Sequence, residues 1–313
     1  MSFPFEADRS KIYLHAYDLL KVYYGMGSGL RQNLDYTDFK YLPLTIPPID
    51  EQRRIVEFLD RKTVELDDAI ATKQRLIELL QEQKAILINQ AVTKGLDPNV
   101  PMCDRGIHGL EKVPNHWKLC SVKRLTQILR GKFSHRPRND ARFYGGQYPF
   151  IQTGDISQAG RRITKYSQTL NARGYAVSKE FPAGTVVMVI TGAKTGEVSI
   201  LGFNACFPDS AVGFFPNPGE VSADFLYYMF GVLKTRLDEV SIVSTQENLN
   251  VDRIGALYTA CPPVEEQNQI VDFLDNRLLG FETAQVRAEE QINKLQEFRE
   301  ILISHAVTGK IKV

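Results

Sequence analysis

Cysteine and tryptophan are scarce in this sequence of 313 residues, which contains four cysteines and one tryptophan. The cysteines form no C-x-x-C pair, and no histidine lies at zinc-site spacing from them. This pattern argues against bound zinc and suits the free thiols of a cytoplasmic protein. No run of about 18 apolar residues occurs, so we expect no membrane-spanning helix. The first residues also lack the basic start and apolar run of a signal peptide.

Net charge is nearly absent as well, at +1, but the charges are unevenly distributed. Thirteen lysines and arginines lie between Lys118 and Lys179, where only Asp140 and Asp155 oppose them. We call residues 118–179 the basic block. Such a block is either the electrostatic footprint of a polyanion-binding surface or a solvated basic face, and charge alone does not separate the two.

One segment of the sequence occurs twice. Aligned without a gap, residues 47–93 and 262–308 share 20 identities in 47 positions, including a Pro-Pro pair at the start and Ala-Val-Thr at the end. A match of this length indicates duplication. Each copy is predicted to form one long helix, because proline fits a helix entry and the acidic residues that follow it suit the N-terminal end of the helix dipole.

Apolar residues recur in both copies at an average spacing of 3.5 residues, which is typical of a coiled coil. Because the domain between the copies must leave the end of the first helix and return to the start of the second, we expect the helices to pack antiparallel. The predicted contact positions are Val56, Leu59, Thr63, Leu66, Ile70, Lys73, Ile77, Leu80, Lys84, Leu87 and Ala91 in the first copy, and Val271, Leu274, Leu278, Phe281, Gln285, Ala288, Ile292, Leu295, Arg299, Leu302 and Ala306 in the second.

A weaker similarity extends upstream, where residues 32–35 align with residues 247–250. Residues 1–46 therefore resemble the end of the domain that lies between the helices. We divide the chain into a domain remnant (1–46), a helix (47–96), a complete domain (97–261) and a second helix (262–313). The remnant would expose its apolar residues unless they pack on a second chain, giving a homodimer, or cover the end of the helix pair in a monomer. These residues are Tyr13, Leu14, Leu19, Leu20, Val22 and Tyr23.

The complete domain is predicted to have an α+β fold. Residues 97–117 are interpreted as a connection, and apolar runs bounded by glycine turns predict strands at 148–152, 184–190 and 197–201. Residues 223–237 are predicted to form a helix, and Asn250 is a candidate N-cap for a short helix that ends at Ile254.

Four pieces of this domain resemble the target-recognition domain of the specificity (S) subunits of type I restriction–modification systems. They are the entry with Gly106-Ile107 and 113–117, the Gly-Asp-Ile segment 150–156, the strand and glycine turn 184–196, and the ending 246–250 followed by 261–267. Together with the duplicated helix, the resemblance covers essentially the whole chain.

The resemblance implies an α+β protein whose target-recognition domain adjoins two long helices in an antiparallel coiled coil. It also implies a non-catalytic subunit that binds double-stranded DNA and directs methyltransferase (M) and restriction (R) subunits to a target site. The chain would need no cofactor, since S-adenosylmethionine, ATP and magnesium are expected only in the partner subunits. The alternative is a truncated scaffold that binds methyltransferase subunits without recognising a complete site.

Basic and amide side chains of the domain are the candidates for DNA contact, because Lys and Arg bind phosphates, Arg pairs with guanine, and Asn or Gln pairs with adenine. The predicted DNA-contacting residues are Lys132, Arg136, Arg138, Arg142, Gln152, Arg161, Arg162, Lys165, Lys194 and Thr195. Asn139 and Gln158 are further candidates for reading a base.

Other motifs point away from catalysis. Residues 191–196 match a phosphate-binding loop only in part, so they either present Lys194 and backbone N–H groups to a DNA phosphate or form a plain turn. Neither Pro-Pro pair follows the Asn or Asp that an adenine methyltransferase motif needs. Asp155 is predicted to cap a turn, His135 to be an exposed loop residue, and Trp117 to anchor the core at the domain entry.

Overall fold

The computed structural model describes residues 14–19, 21–25, 40, 47–107, 110–241 and 249–313. The chain divides into two units, one formed by Met1–Gln83 with Gly280–Val313 and the other by Lys84–Leu279. Tyr13, Leu20 and the upstream similarity at 32–35 lie outside the described residues. Among the described residues, no helix is both long enough and apolar enough to cross a membrane.

The described elements mix helices and strands, as predicted. The helices are α1 (Ile49–Lys94), α2 (Val122–Leu125), α3 (Thr153–Gln158), α4 (Ala172–Ala176), α5 (Ala223–Ser241), α6 (Val251–Ala256) and α7 (Val264–Val307). The strands are β1 (Met102–Asp104), β2 (Lys112–Pro114), β3 (Lys118–Ser121), β4 (Thr126–Arg130), β5 (Tyr144–Phe150), β6 (Arg162–Ile163), β7 (Gln168–Leu170), β8 (Glu180–Phe181), β9 (Val186–Val189), β10 (Val198–Leu201), β11 (Ala205–Cys206), β12 (Ala211–Pro216) and β13 (Tyr258–Cys261).

Both long helices begin directly after a Pro-Pro pair, as the repeat predicts. A buried glutamine makes the same contact at each start: Gln52 donates from Nε2 to the carbonyl of Pro47 at 2.8 Å, and Gln267 donates to the carbonyl of Pro262 at 2.9 Å. The two amides differ at the other atom. Oε1 of Gln267 accepts from the backbone N–H of Ser222 at 2.8 Å, whereas Oε1 of Gln52 is buried and has no hydrogen-bond partner among the described residues.

This difference predicts unequal costs for the same substitution. Gln267→Ala removes a buried amide that is fully hydrogen-bonded, so we expect it to lower the free energy of unfolding by about 1–3 kcal/mol. Gln52→Ala also removes an unsatisfied acceptor, and its cost should be smaller. Denaturant unfolding of the two variants measures the difference, and an equal or larger loss for Gln52→Ala would contradict this account.

In the first unit, α1 and α7 pack against each other in antiparallel orientation, as predicted. Residues near the start of α1, including Leu59 and Leu66, form one apolar cluster with residues near the end of α7, including Leu302 and Ala306. Every predicted contact position in both helices is buried or half-buried. One ion pair has the same antiparallel arrangement: Arg299, near the end of α7, binds Asp67 of α1 at 3.3 Å.

A short helical segment, residues 14–19, joins this cluster. Ala16 is fully buried among residues that include Ile55 and Leu59, and Tyr17 and Leu19 pack beside it. Of the apolar residues predicted to be exposed, Leu14, Leu19, Val22 and Tyr23 are half-buried. The segment therefore covers part of the apolar cluster of its own chain, and the choice between a homodimer and a monomer stays a prediction.

The second unit contains the α+β domain. Its core sheet has five strands in the order β4-β12-β9-β10-β6, and a second sheet has the order β7-β5-β11-β8. All four residues of β9 are buried, as expected for a β-branched and apolar run in the centre of a sheet. The strands predicted at 184–190 and 197–201 correspond to β9 and β10, and the one at 148–152 overlaps β5, which starts earlier.

The connection that leads into this domain contains two short strands that the sequence did not predict. They are β1 and β2, which pair antiparallel with Met102 opposite Pro114 and Asp104 opposite Lys112. Trp117 is buried, as predicted, and donates from its indole N–H to Glu266 of α7 at 3.1 Å. His116 contacts the second oxygen of the same carboxylate at 2.8 Å, so the entry and the start of α7 are held by one side chain.

Candidate DNA interface

The second unit has a pocket of about 510 Å³ beside the four-stranded sheet. Phe133, Phe150 and Pro208 supply its apolar lining, and Tyr144 adds a ring with a hydroxyl group. The polar lining comes from charged, amide and hydroxyl side chains: Arg138, Asn139, Gln152, Thr153, Gln168, Thr191 and Ser210. The pocket thus presents arginine, amide and hydroxyl groups, while the rings of Phe133 and Phe150 behind them are buried in the core of the domain.

Gly131 brings the basic segment 132–138 against the turn before β12. A Cβ atom on Gly131 would lie 2.2 Å from the carbonyl oxygen of Pro208, so only glycine allows this close approach. The backbone N–H groups of Gly131 and Lys132 donate to the carbonyls of Ala211 and Phe207. The segment is therefore fixed to the turn that carries Asp209.

Three arginines converge on Asp209. Arg138 and Arg136 each donate to its carboxylate, the latter at 3.2 Å, and Arg130 donates from Nε to its backbone carbonyl at 2.7 Å. Arg136 also donates to the carbonyls of Phe133 and His135 at 2.6 and 2.9 Å. Two cations that share one carboxylate leave this edge of the domain positive.

Arg142 is bound by Asp140, one of the two acidic residues of the basic block, whose two carboxylate oxygens accept from Nε and Nη2 of Arg142. These hydrogen bonds hold the pKa of the Asp140 carboxyl far below its usual value. His135 contacts Asp140 at 3.1 Å and stacks on Phe143 with ring centroids 3.9 Å apart. The prediction that His135 is an exposed loop residue was therefore wrong, because stacking and the carboxylate hold it half-buried.

Asp155 caps the start of α3, as predicted. Its carboxylate accepts from the backbone N–H of Gln152 at 2.8 Å, and the backbone N–H of Asp155 donates in return to the carbonyl of Gln152 at 3.0 Å. Gln152 also donates from Nε2 to Oε1 of Gln168 at 2.7 Å. Gln152 thus lines the pocket, but its amide nitrogen is already hydrogen-bonded within the domain. Gln168 also lines the pocket, and the sequence did not identify it as a candidate.

Residues 191–196 form the turn between β9 and β10. The N–H of Gly196 donates to the carbonyl of Val189 at 2.8 Å, and the hydroxyl of Thr195 donates to the carbonyl of Gly192 at 2.6 Å. Lys194 is exposed at the tip, and Thr191 lines the pocket. Because strands flank the turn on both sides, it is not a phosphate loop that leads into a helix; phosphate contact by Lys194 stays a prediction.

Arg161 and Arg162 lie in a different cluster and do not line the pocket. Arg161 pairs with Asp275 of α7 and with Asp224 of α5, and Arg162 donates to both oxygens of Asp224 at 2.7 and 2.8 Å. Tyr228 donates to the same carboxylate of Asp275 at 2.6 Å. These ion pairs join the start of β6 to α5 and α7 within the unit. Lys132 and Lys165 are exposed, and Gln158 ends α3 as an exposed residue.

The buried hydroxyl of Tyr228 supplies a test of this cluster. Burial, followed by the hydrogen bond to Asp275, raises the pKa of Tyr228 above its usual value near 10. The unfolded chain therefore loses this proton first, so the free energy of unfolding should fall as the pH rises above about 10.

We expect Tyr228→Phe to lower the free energy of unfolding at neutral pH by about 1–3 kcal/mol, since the lost hydrogen bond has a charged acceptor. The variant should also show a shallower loss above pH 10. The matched control is Tyr166→Phe, because the ring of Tyr166 is half-exposed. It should change neither the free energy of unfolding at neutral pH nor its loss above pH 10. Equal pH profiles for Tyr228→Phe and the unmodified chain would refute this assignment.

Comparison with known proteins identifies related chains. A family model described as the type I restriction modification DNA specificity domain matches residues 114–294. The putative type I restriction enzyme MjaX specificity subunit of Methanocaldococcus jannaschii is 20% identical over 285 residues, which are 90% of this chain and 62% of that protein. The EcoDI specificity subunit of Escherichia coli is 24% identical over 202 residues, 64% of this chain and 40% of that protein. The chain thus spans less than two thirds of either relative.

Two solved structures have a similar fold. One, described as the structural basis of complex assembly and conformational transition of the type I R-M system, has a TM-score of 0.69 at 18% identity and covers 95% of this chain and 70% of that one. The HsdS subunit from Thermoanaerobacter tengcongensis has a TM-score of 0.56 at 16% identity and covers 96% and 70%. The family model alone covers more than half of the chain, from the domain entry into α7, and the protein therefore belongs to the type I restriction–modification DNA specificity family.

Proposed function

We propose that the chain is the sequence-specific DNA-recognition subunit of a type I restriction–modification complex and directs methyltransferase and restriction subunits to its target site. The observation that carries the proposal is the pocket in the second unit, where Arg138 and Asn139 of the basic block meet the amide of Gln168. Arginine and amide side chains discriminate bases, and the surrounding cations attract phosphates.

The long helices offer a surface for the partner subunits. In the first unit, several large apolar side chains of α1 and α7 stay 40–52% exposed although the facing sides of the same helices are buried. These are Leu76, Leu79, Val286, Phe298 and Ile301. Exposed apolar side chains on an otherwise charged helix pair suit a protein partner, and we assign them to the methyltransferase subunit.

The chain itself would be non-catalytic and would act in the cytoplasm, where its four free cysteines stay reduced. S-adenosylmethionine would be bound by the methyltransferase subunit, and ATP and magnesium by the restriction subunit. The names of the curated relatives, which are specificity subunits, support this division of labour.

A methylation assay tests the proposal. The chain, a methyltransferase subunit of a type I system from the same genome, and both together are each incubated with duplex DNA and labelled S-adenosylmethionine. We expect methyl transfer at a defined sequence only when both proteins are present. Methyl transfer by the chain alone, or the same sites methylated without it, would overturn the proposal.

The scaffold alternative predicts a different outcome of the same assay. A chain that only binds methyltransferase subunits would form the complex without confining methylation to a sequence. The packing of residues 14–19 favours neither outcome, because it concerns the helix pair of the first unit and not the pocket.

A further inference from the structure

Arg138 differs from Arg136 and Arg142 in how many of its guanidinium N–H groups remain free to bind a ligand. It donates from Nη2 to Asp209, and within the described part of the chain neither its Nε nor its Nη1 has a hydrogen-bond partner. Arg136 is used more completely, with Nη1 on two carbonyls and Nη2 on Asp209. Arg142 has both Nε and Nη2 on Asp140. Of these three cations, Arg138 therefore keeps the most free donors.

The free donors of Arg138 belong to the pocket. Arg138 lines it together with Asn139, and so do Pro208 and Ser210, the residues on either side of Asp209. The Arg138 side chain is 46% exposed, so a ligand can reach it, while the Asp209 contact fixes one end of the guanidinium. The result is a half-exposed guanidinium that is held by a carboxylate before any ligand binds.

We propose that Asp209 is a positioning residue that orients Arg138 to read a guanine base; this inference rests on the proposed DNA-recognition function. The remaining hydrogen of Nη2 forms a parallel pair of donors with the adjacent hydrogen of Nη1 or Nε, and such a pair matches O6 and N7 of guanine. A guanidinium that is already oriented loses less conformational entropy on binding the base.

Because Asp209 is negatively charged, its removal should affect the overall affinity for DNA and the preference for one base in different ways. A carboxylate at a DNA-binding surface repels phosphates, so its removal should strengthen binding to any DNA if it has no further role. If Asp209 positions Arg138, its removal should instead reduce the preference for one base. Electrostatics and positioning thus predict different changes in two separately measurable quantities.

The experiment begins with the preferred duplex of the wild-type chain, obtained by selection from random DNA. Affinities for this duplex, for every single-base variant of it and for random DNA are then measured with Asp209→Asn and Arg138→Lys. The matched control is Arg105→Lys, because Arg105 is exposed and lies outside the basic block. We expect both test variants to lose roughly 10- to 100-fold of the preference at the same guanine position, with the other positions unchanged. Affinity of Asp209→Asn for random DNA should be equal or higher.

Two results would overturn the proposal. One is a variant Asp209→Asn that binds all duplexes more tightly with its base preferences intact. The other is Arg138→Lys with unchanged preference at every guanine, and this result decides the matter even if Asp209→Asn fails to fold. If the wild-type chain selects no sequence at all, the proposed DNA-recognition function fails first, which distinguishes that failure from an error about Asp209.

Discussion

Reversing the charge of three arginines of the basic block, Arg136, Arg138 and Arg142, should abolish DNA binding by the chain. The change removes three cations and adds three anions beside the pocket, so the counterion release that drives binding is lost. We expect the dissociation constant to rise by at least roughly 100-fold at moderate salt, and the remaining affinity to depend less steeply on salt. Titration of a labelled duplex at several salt concentrations measures both quantities.

The control for this experiment carries the same change in net charge. Charge reversal of Lys94, Arg105 and Lys112, which are exposed in the second unit but lie outside the basic block, should leave most of the affinity intact. Circular dichroism of both triple variants shows whether they fold. Unchanged affinity of the Arg136, Arg138 and Arg142 variant would identify the basic block as a solvated face.

Leu59→Glu should strongly destabilise the helix pair of the first unit. Leu59 is 3% exposed and packs in the cluster that joins the start of α1 to the end of α7. The substitution loses buried apolar area and places a carboxylate in an apolar cluster, so we expect the free energy of unfolding to fall by roughly 4 kcal/mol. Denaturant unfolding followed by the helical signal measures this loss.

Leu76→Glu is the matched control, since it makes the same change in the same helix at a residue that is 41% exposed. Its effect on unfolding should stay within about 1 kcal/mol. Because Leu76 belongs to the surface assigned to the methyltransferase subunit, this variant should fold and still lose partner binding. Equal stability of the Leu59→Glu and Leu76→Glu variants would show that the helix contact is not where the structure has it.

The helices were predictable in detail because their signal is periodic and occurs twice. The 3.5-residue spacing identified the contact positions, including polar ones such as Lys73 and Arg299 whose long stems accompany the apolar residues. The Pro-Pro pairs placed both helix starts. The different surroundings of Gln52 and Gln267 could not be predicted, since identical residues in the repeat meet different neighbours in the two units.

The pocket was predictable only in part. The basic block identified Arg138, and residue chemistry identified Asn139 and Gln152, but Arg138 and Gln152 are held by partners farther along the sequence. Asp209 and Gln168 lie 71 and 16 residues from the side chains that they contact. Arg161 was predicted to contact DNA because it is an arginine of the basic block. In the structure it forms an ion pair with Asp275, which is 114 residues away in α7. Local sequence carries no signal for such pairs.

Recognition of a DNA sequence by the domain in the second unit can be measured by selecting bound duplexes from a random-sequence pool, with the purified chain alone and with its methyltransferase subunit. We expect repeated rounds to enrich one defined sequence containing a guanine, and the Arg136, Arg138 and Arg142 charge-reversal variant to enrich none. If the pool stays random after repeated rounds, although the chain binds DNA and the complex assembles, the domain does not recognise a sequence.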